Sequence, residues 1–468
     1  MPRDVAETLD AGLRETFAAF AAGLGHQDIP ARVRERALHH MLDATGVALA
    51  STRFDFAHRT LTAMQALGGG GATPVIGFPA RLAPRDAALV NGVLCHGLDY
   101  DDTHIAGVVH PTVSVLPAVL AAASLSGASG AEAVTAYVIG VDVAARLGMA
   151  ARGGFHQVGF HPTGVCGAFG CAVAAGRVMG LGERQLAEAQ GIALSMASGS
   201  LEFLADGAWT KRMHPGWAAA AGVTAAALAR EGFIGASKPY EGRFGLYASY
   251  LGTEAGRLDL PLATEGLGEA WAVTDTAIKP FPACHFTHAC IDAALALHAE
   301  GVEPGAIQAV EARVPAETMK TICEPEAAKK RPANSYDAQF STHYLVASSL
   351  IRGRFGLPEL EAAALADREV RALADRVSCR ADPESAFPRA YSGEVIVRLT
   401  DGTTRNRREQ INRGAADRPL SDDEIVAKYR DNAATALGRD HAARIEAALL
   451  GLDGAEPAAA RLAVLARP

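Results

Sequence analysis

At 468 residues the chain is longer than one hydrophobic core usually serves, so its length points to two domains. Hydrophobic residues at 49% and charged residues at 21% fit a globular protein with a large interior. A formal charge of −8 argues against general affinity for nucleic acid or for an anionic membrane, so an anionic ligand would need a local positive pocket.

The first residues, MPRDVAETLDAGLRETFAAFAAGL, are acidic and amphipathic, unlike a signal peptide. No uninterrupted apolar run reads as long and polar-free enough to span a bilayer. Seven cysteines (95, 166, 171, 284, 290, 323 and 379) occur without C-x-x-C pairs, and several, in helical Ala/Gly patterns, read as small buried hydrophobes. The simplest compartment for such a chain is a reducing one, the cytoplasm.

Apolar residues recur at three- and four-residue spacing over 5–23, 31–50, 84–97, 111–126, 131–149, 162–180, 184–198 and 215–232, which predicts helices. Their Ala and Gly content lets helices approach closely. Within this part, residues 96–111, HGLDYDDTHIAGVVHP, gather His96, Asp99, Tyr100, Asp101, Asp102, Thr103, His104 and His110 where one apolar helix ends and another begins. Titratable groups at such a junction can converge on a pocket whose low-dielectric wall shifts their pKa values. His161-Pro162 and His214-Pro215 repeat the local design of His110-Pro111, each ahead of an Ala- and Gly-rich run. Pro suits the first helical turn, so each His is placed near an N-cap, where neutral imidazole and an anionic ligand are favoured. The plain alternative is three capping loops. Together with the acidic cluster, the three pairs favour a carboxylate or phosphate site.

In DGAWTKRMHPGW, Lys211 and Arg212 stand among apolar Trp209, Met213 and Trp217, where a buried cation needs an anionic partner. Near residue 268 the composition changes. EAWAVTDTAIKPFP contains a strand-like run, IQAVEARVPAE alternates, and GEVIVRLTDGTTRNRREQI reads as a hairpin about Asp401-Gly402. Helices are predicted at about 286–300, 338–353 and 359–376, and again after about residue 413. KPFPACHFTHAC offers Lys279, Cys284, His285 and His288 at a strand-to-helix junction. The fold class is therefore mainly α: a helical domain over 1–268 and a smaller α+β domain over 269–413, with 414–468 helical. Neither G-x-x-x-x-G-K-[ST], a strand-borne G-x-G-x-x-G nor G-x-S-x-G occurs. A divalent cation on Asp99, Asp101, Asp102 and His104 is the lesser reading, and no metal is assigned.

Taken together, HGLDYDDTH followed by HP, GFHPTGVCGAFGCAVAA, DGAWTKRMHPGWAA, KPFPACHFTH and DAQFSTHYLVASSL resemble the MmgE/PrpD family over nearly the whole chain. That family includes 2-methylcitrate dehydratase, cis-aconitate decarboxylase and iminodisuccinate epimerase. The resemblance implies a large helical domain completed by the C-terminal helices, a smaller α+β lid, a homodimer, and catalysis without metal or organic cofactor. By motif position it implies catalytic roles for Asp99, Thr103, His110, His161, Lys211 and His288. Arg212, Lys279, Tyr344, His104, Cys284 and His285 are candidates for substrate binding. The loop DYDDTH departs from the DFNDTW-like loop usual in the dehydratases. The activity expected first is dehydration or hydration of a small di- or tricarboxylate by proton abstraction next to a carboxylate. Epimerisation or isomerisation of a dicarboxylate, decarboxylation of a cis-aconitate-type substrate, and a non-catalytic carboxylate-binding protein are the alternatives.

Overall fold

A computed structural model describes residues 12–467. The chain divides into two compact units: one runs to Thr276 and resumes at Ser421, and the other is Ala277–Leu420. The first is all but wholly helical; the second carries a four-stranded sheet with helices, so the fold is mainly α with a smaller α+β part.

The helices of the first unit fall close to the predicted spans: Leu13–Gly23, Ala31–Ser51, Pro84–His96, Thr112–Ala123, Gly130–Ala150, Pro162–Val178, Glu183–Ala193 and Thr210–Arg230. The start of the predicted 5–23 helix lies outside the described residues. A further helix, Asp55–Gly68, is absent from the sequence reading because its buried face amounts to Phe56, Ala57 and Leu61. Gly130–Ala150 begins at a capping box: the Ser129 hydroxyl accepts from the Glu132 N–H, and the Glu132 carboxylate accepts from the Ser129 N–H. This helix corrects the expectation that no run is membrane-length, since its length and hydropathy suffice for a bilayer. Its apolar window is 94% buried in the unit, which makes it a core helix. Within the unit Arg146 meets Asp142 at 3.0 Å and caps the carbonyls of Glu265, Gly266 and Ala270.

The helix at Thr210 begins five residues ahead of the predicted start, and this corrects one of the three His-Pro placements. Pro215 lies inside the helix and His214 within its second turn, not at an N-cap. Pro215 is the sixth helical residue, past the four N–H groups that lack an intrahelical acceptor, so the helix forgoes one i→i−4 bond there, to the Lys211 carbonyl. Glycines decide how closely this helix meets Pro84–His96. A Cβ on Gly92 would lie 2.4 Å from Gly216 Cα, and one on Gly216 would lie 2.2 Å from the Leu89 carbonyl oxygen. The backbones therefore touch, and side chains at the two helix ends are brought together.

The helices Asp422–Ala434 and Arg439–Leu450 belong to the first unit. Ser421 caps the first of them with Glu424. From it Lys428 reaches Asp43 at 2.8 Å and the Tyr100 carbonyl at 2.7 Å, with its ammonium 3.9 Å from the Tyr100 ring centroid.

In the second unit the sheet order is Val377–Ala381, Ile307–Val314, Gly393–Leu399, Thr404–Glu409, the first pair parallel and the others antiparallel. The last two strands are the predicted hairpin, and Gly402 takes φ +87 in its turn. Helices His288–Ala299 and Thr342–Arg352 pack on the sheet. The predicted 359–376 helix breaks into Leu357–Leu360, Ala362–Leu365 and Arg368–Ala374, because Asp367 accepts from the N–H groups of Glu369 and Val370 and starts a new helix there.

Gly216→Ala should lower stability by about 1–3 kcal/mol through overpacking against Leu89. Gly23→Ala, with nothing within 4 Å of the added methyl, should be neutral or better. Denaturant midpoints of the two variants check the contrast.

Candidate active site

The stretch after His96 folds back on itself. Strand residues Asp102–His104 are followed by a tight return in which His104 N–H donates to the Val109 carbonyl at 2.7 Å and Val109 N–H to His104 at 3.3 Å. His110 is thereby returned beside Thr103. Two residues have positive φ here, Asp99 at +52 and the β-branched Val108 at +54. Such a backbone costs of order 1–3 kcal/mol and persists only where the surroundings fix it.

Asp101 is the hub. Its carboxylate Oδ2 lies 2.9 Å from His96 Nδ1 and 3.3 Å from His110 Nδ1. His110 Nδ1 also lies 2.6 Å from the Asp102 carbonyl and 3.1 Å from the Thr103 hydroxyl, which places the proton on Nδ1. His161, the residue before Pro162, brings its ring centroid to 5.6 Å from both His96 and His110. Its Nδ1 shares a hydrogen bond with His214 Nδ1 at 3.1 Å. Nε2 of His96 and Nε2 of His161 are buried without a hydrogen-bond partner among the described residues. Lys211, in the first turn of its helix, extends its ammonium to Asp99 Oδ2 at 2.9 Å.

Burial, and then the neighbouring His214, Lys211, His96 and His110, push the His161 pKa well down. Burial, followed by His96 and Lys211, lowers His214 to about 4. Both rings are neutral near pH 7 and keep a lone pair for accepting a proton. The site thus combines one buried ammonium, two carboxylates and four imidazoles. Such a set can hold an anionic ligand and move a proton to or from it.

Five of the predicted catalytic residues, Asp99, Thr103, His110, His161 and Lys211, come together here. Two predicted substrate-binding residues of the same unit do not join the histidine cluster. His104 turns into its own return, its Nδ1 accepting from Gly107 N–H at 3.1 Å, and burial lowers its pKa to about 4. Arg212 donates from Nε to the Gly97 carbonyl at 2.7 Å and lays its guanidinium 4.6 Å from the Phe56 ring centroid, so it holds the loop entrance. The remaining candidates lie in the second unit. His288 Nε2 donates to the Ala283 carbonyl at 3.0 Å, and the His285 and His288 rings lie 4.7 Å apart. His285 also pairs with Asn412. Cys284 N–H donates to the Gln339 carbonyl, Lys279 is fully buried, and the Tyr344 hydroxyl donates to the Glu359 carbonyl at 2.6 Å.

His96, Asp101 and His214 stand at the centre of the cluster although the sequence reading gave none of them a catalytic or substrate-binding role. Their signal was present: His96 stands two residues ahead of LDYD, Asp101 ends it, and His214 belongs to a His-Pro pair. The four-residue cation set on Asp99, Asp101, Asp102 and His104 does not form, because Asp102 is taken up by His40 at 3.0 Å and by Thr112. A different set has ligand spacing: one nitrogen each of His96, His110 and His161, all within 4.8 Å of one another, and likewise His96, Asp99 and Asp101. Nitrogen and carboxylate donors of this kind suit a first-row divalent ion, but Lys211 bonded to Asp99 places a fixed cation against the same pocket.

The sequence comparisons place the chain in a family. The MmgE/PrpD N-terminal domain matches residues 15–258 and the MmgE/PrpD C-terminal domain matches residues 281–453, so the chain belongs to the MmgE/PrpD family. Its relatives include the cis-aconitate decarboxylase of Mus musculus, 30% identical over 91% of this chain and 88% of that protein. The cis-aconitate decarboxylase of Homo sapiens is 30% identical over 92% and 89%. The cis-aconitate decarboxylase-like protein oryM of Aspergillus oryzae is 28% identical over 94% of each chain.

The lowered histidines carry a signed pH dependence. A His whose folded pKa is depressed excludes a proton that the unfolded chain accepts below about 6.5, so stability is complete above that pH and declines as pH falls towards 4. Asp43 and Asp142, raised to about 6 by burial, oppose this by binding protons in the folded state. With His40, His104, His161 and His214 all lowered, the histidines prevail. The melting temperature should fall between pH 6.5 and 5, and less steeply in His214→Gln, as melts across that range would record.

Proposed function

We propose that the protein is a lyase that acts on a small di- or tricarboxylate without metal or organic cofactor, making or quenching a carbanion-like centre next to a carboxylate. Decarboxylation of a cis-aconitate-type substrate is the first reaction to test. The observation that carries this reading is the buried Lys211 ammonium set near the His161 imidazole, whose pKa is held well down and whose Nε2 has no hydrogen-bond partner among the described residues. The Lys211 ammonium supplies the positive charge that a substrate carboxylate needs, and Asp99 holds it in place. The near full-length similarity to three proteins named for cis-aconitate decarboxylation supports that reaction over the dehydration expected first from sequence.

In decarboxylation the C–C bond to one carboxyl breaks, CO2 leaves, and the electron pair passes into the adjacent unsaturated system. Lys211 stabilises the carboxylate that shares the resulting charge, and a histidine returns one proton to carbon. His161 and His110 are the acid and base candidates; Thr103 and Asp101 orient His110, and Asp99 orients Lys211. Dehydration is the second reading, favoured by the same two-histidine arrangement. It needs a base for the carbon-bound proton and an acid for the departing hydroxide, and both can come from this pair. On this reading the enzyme is a homodimer in the cytoplasm, to be checked by light scattering and cell fractionation.

Proton NMR of the purified protein in D2O with cis-aconitate, citrate, 2-methylcitrate and iminodisuccinate tests the reaction. Loss of a carboxyl from cis-aconitate is the expected result. New vinyl signals without CO2 release would replace it with dehydration, and deuterium entering an α-carbon without net conversion would replace it with epimerisation. Silence across the panel would sink the reading.

Lys211→Ala should lower kcat/KM by about 10²–10³-fold or more, the scale of a lost electrostatic stabiliser, with circular dichroism confirming the fold. Turnover should also survive dialysis against EDTA. Loss of activity restored by one divalent metal would assign the three histidines to that metal instead.

A further inference from the structure

Away from the histidine cluster, the helical unit holds a cavity of about 520 Å³, room enough for a small organic molecule. Its walls come from the end of helix Ala31–Ser51, one side of helix Asp55–Gly68, the 75–80 loop between strands Thr73–Pro74 and Arg81–Leu82, and the last described residues. Two backbone bonds tie that loop to the C-terminal segment. Gly77 N–H donates to the Leu465 carbonyl at 2.8 Å, and Arg467 N–H donates to the Phe78 carbonyl at 3.0 Å. Gly77 has φ +72, and a Cβ there would meet Thr52 Cγ2 at 2.9 Å, so a glycine lets the loop close against the end of the first helix. The closed loop sets Arg467 at the wall.

The charged groups of the wall are cations. Arg53 and Arg467 both line it, and no Asp or Glu is among the described residues that do. Arg53 makes no side-chain hydrogen bond or ion pair with a described residue. Arg467 donates to the Ala436 carbonyl, while its Nε is buried with no hydrogen-bond partner among the described residues. A buried donor of a charged group is costly to leave unpaired. Asp55, an acid close by in sequence, pairs with Arg59 at 3.9 Å. The ends of helices Ala31–Ser51 and Asp422–Ala434 bring about half a negative charge each to the wall, at Thr52 and Thr435. Two full guanidinium charges exceed that, so the cavity stays positive in a chain of formal charge −8. Beside the charges, Leu61 and Phe78 supply an apolar face, and His58 stands edge-on to Phe78 with ring centroids 5.2 Å apart.

We propose that this cavity is a second ligand site, for a small organic oxyanion. A carboxylate or phosphate meets Arg53 and Arg467, and the apolar body that carries it lies against Leu61 and Phe78. A planar guanidinium presents paired N–H donors that match either oxyanion. All the lining residues belong to the helical unit, and the site stands independently of the reaction proposed above.

Isothermal titration calorimetry of the full chain with phenyl phosphate, benzoate and phenol tests the site. Saturable binding of phenyl phosphate or benzoate is the expected result, with phenol about tenfold weaker or worse. Which anion binds more tightly tells a phosphate ligand from a carboxylate. Arg53→Gln and Arg467→Gln should each weaken that binding by about 10–100-fold with an unchanged circular dichroism spectrum. Arg53 is exposed, so Arg53→Gln decides the matter should Arg467→Gln not fold. Lys211→Ala, which removes the cation of the histidine cluster, should bind as the wild type does. Phenol binding as tightly as the anions overturns the proposal, as does anion binding that Arg53→Gln leaves unchanged. Absence of saturable binding by either anion, or binding abolished by Lys211→Ala, overturns it too, and neither result bears on whether the enzyme turns over its substrate.

Discussion

The histidine cluster depends on one buried ion pair, Lys211 with Asp99. Neither charge would survive alone in so dry a place, where an unpaired ion costs several kcal/mol. Asp99 holds its end from a left-handed backbone at φ +52, the kind of strained conformation that an element-wide contact network must fix. Lys211 holds its end from the first turn of a helix. The helix can approach only because Gly92 and Gly216 let two backbones touch. An interaction that looks local is therefore set by the packing of two long helices.

The return between His104 and Val109 does the complementary work on the other side of the pocket. It brings His110 to the carboxylate that already holds His96, so that one Asp101 oxygen orders two imidazoles. Behind that layer, Asp102 with His40 and Thr112, and Lys428 with Asp43 and the Tyr100 carbonyl, tie the same loop to three further helices. Lys428 comes from the far end of the chain. The loop that carries most of the polar chemistry is thus clamped from several directions, which suits a site whose groups must not reorganise during reaction.

Periodicity alone located most helices of the first unit, since amphipathic and all-apolar helices must place hydrophobic residues every three or four positions. Turn chemistry located the Asp401-Gly402 hairpin. Local clustering located LDYDDTH and the His-Pro pairs, and motif resemblance gave the family that the domain matches establish. Other features had no local signal. The start of the Thr210–Arg230 helix was hidden by Pro215, which reads as a first-turn residue and stands inside the helix instead. The strand Val377–Ala381 was missed because it is read only against its parallel partner, and the 359–376 helix broke where Asp367 offered a better cap. Most of all, the sequence determined which acids, imidazoles and amines were present and on which elements, because spacing and composition are properties of the chain. Only the tertiary structure decided that His96, Asp101 and His214 join the cluster and that Arg212 and His104 face elsewhere. Those are distances between residues far apart along the chain, and they exist only once helices, strands and turns have packed.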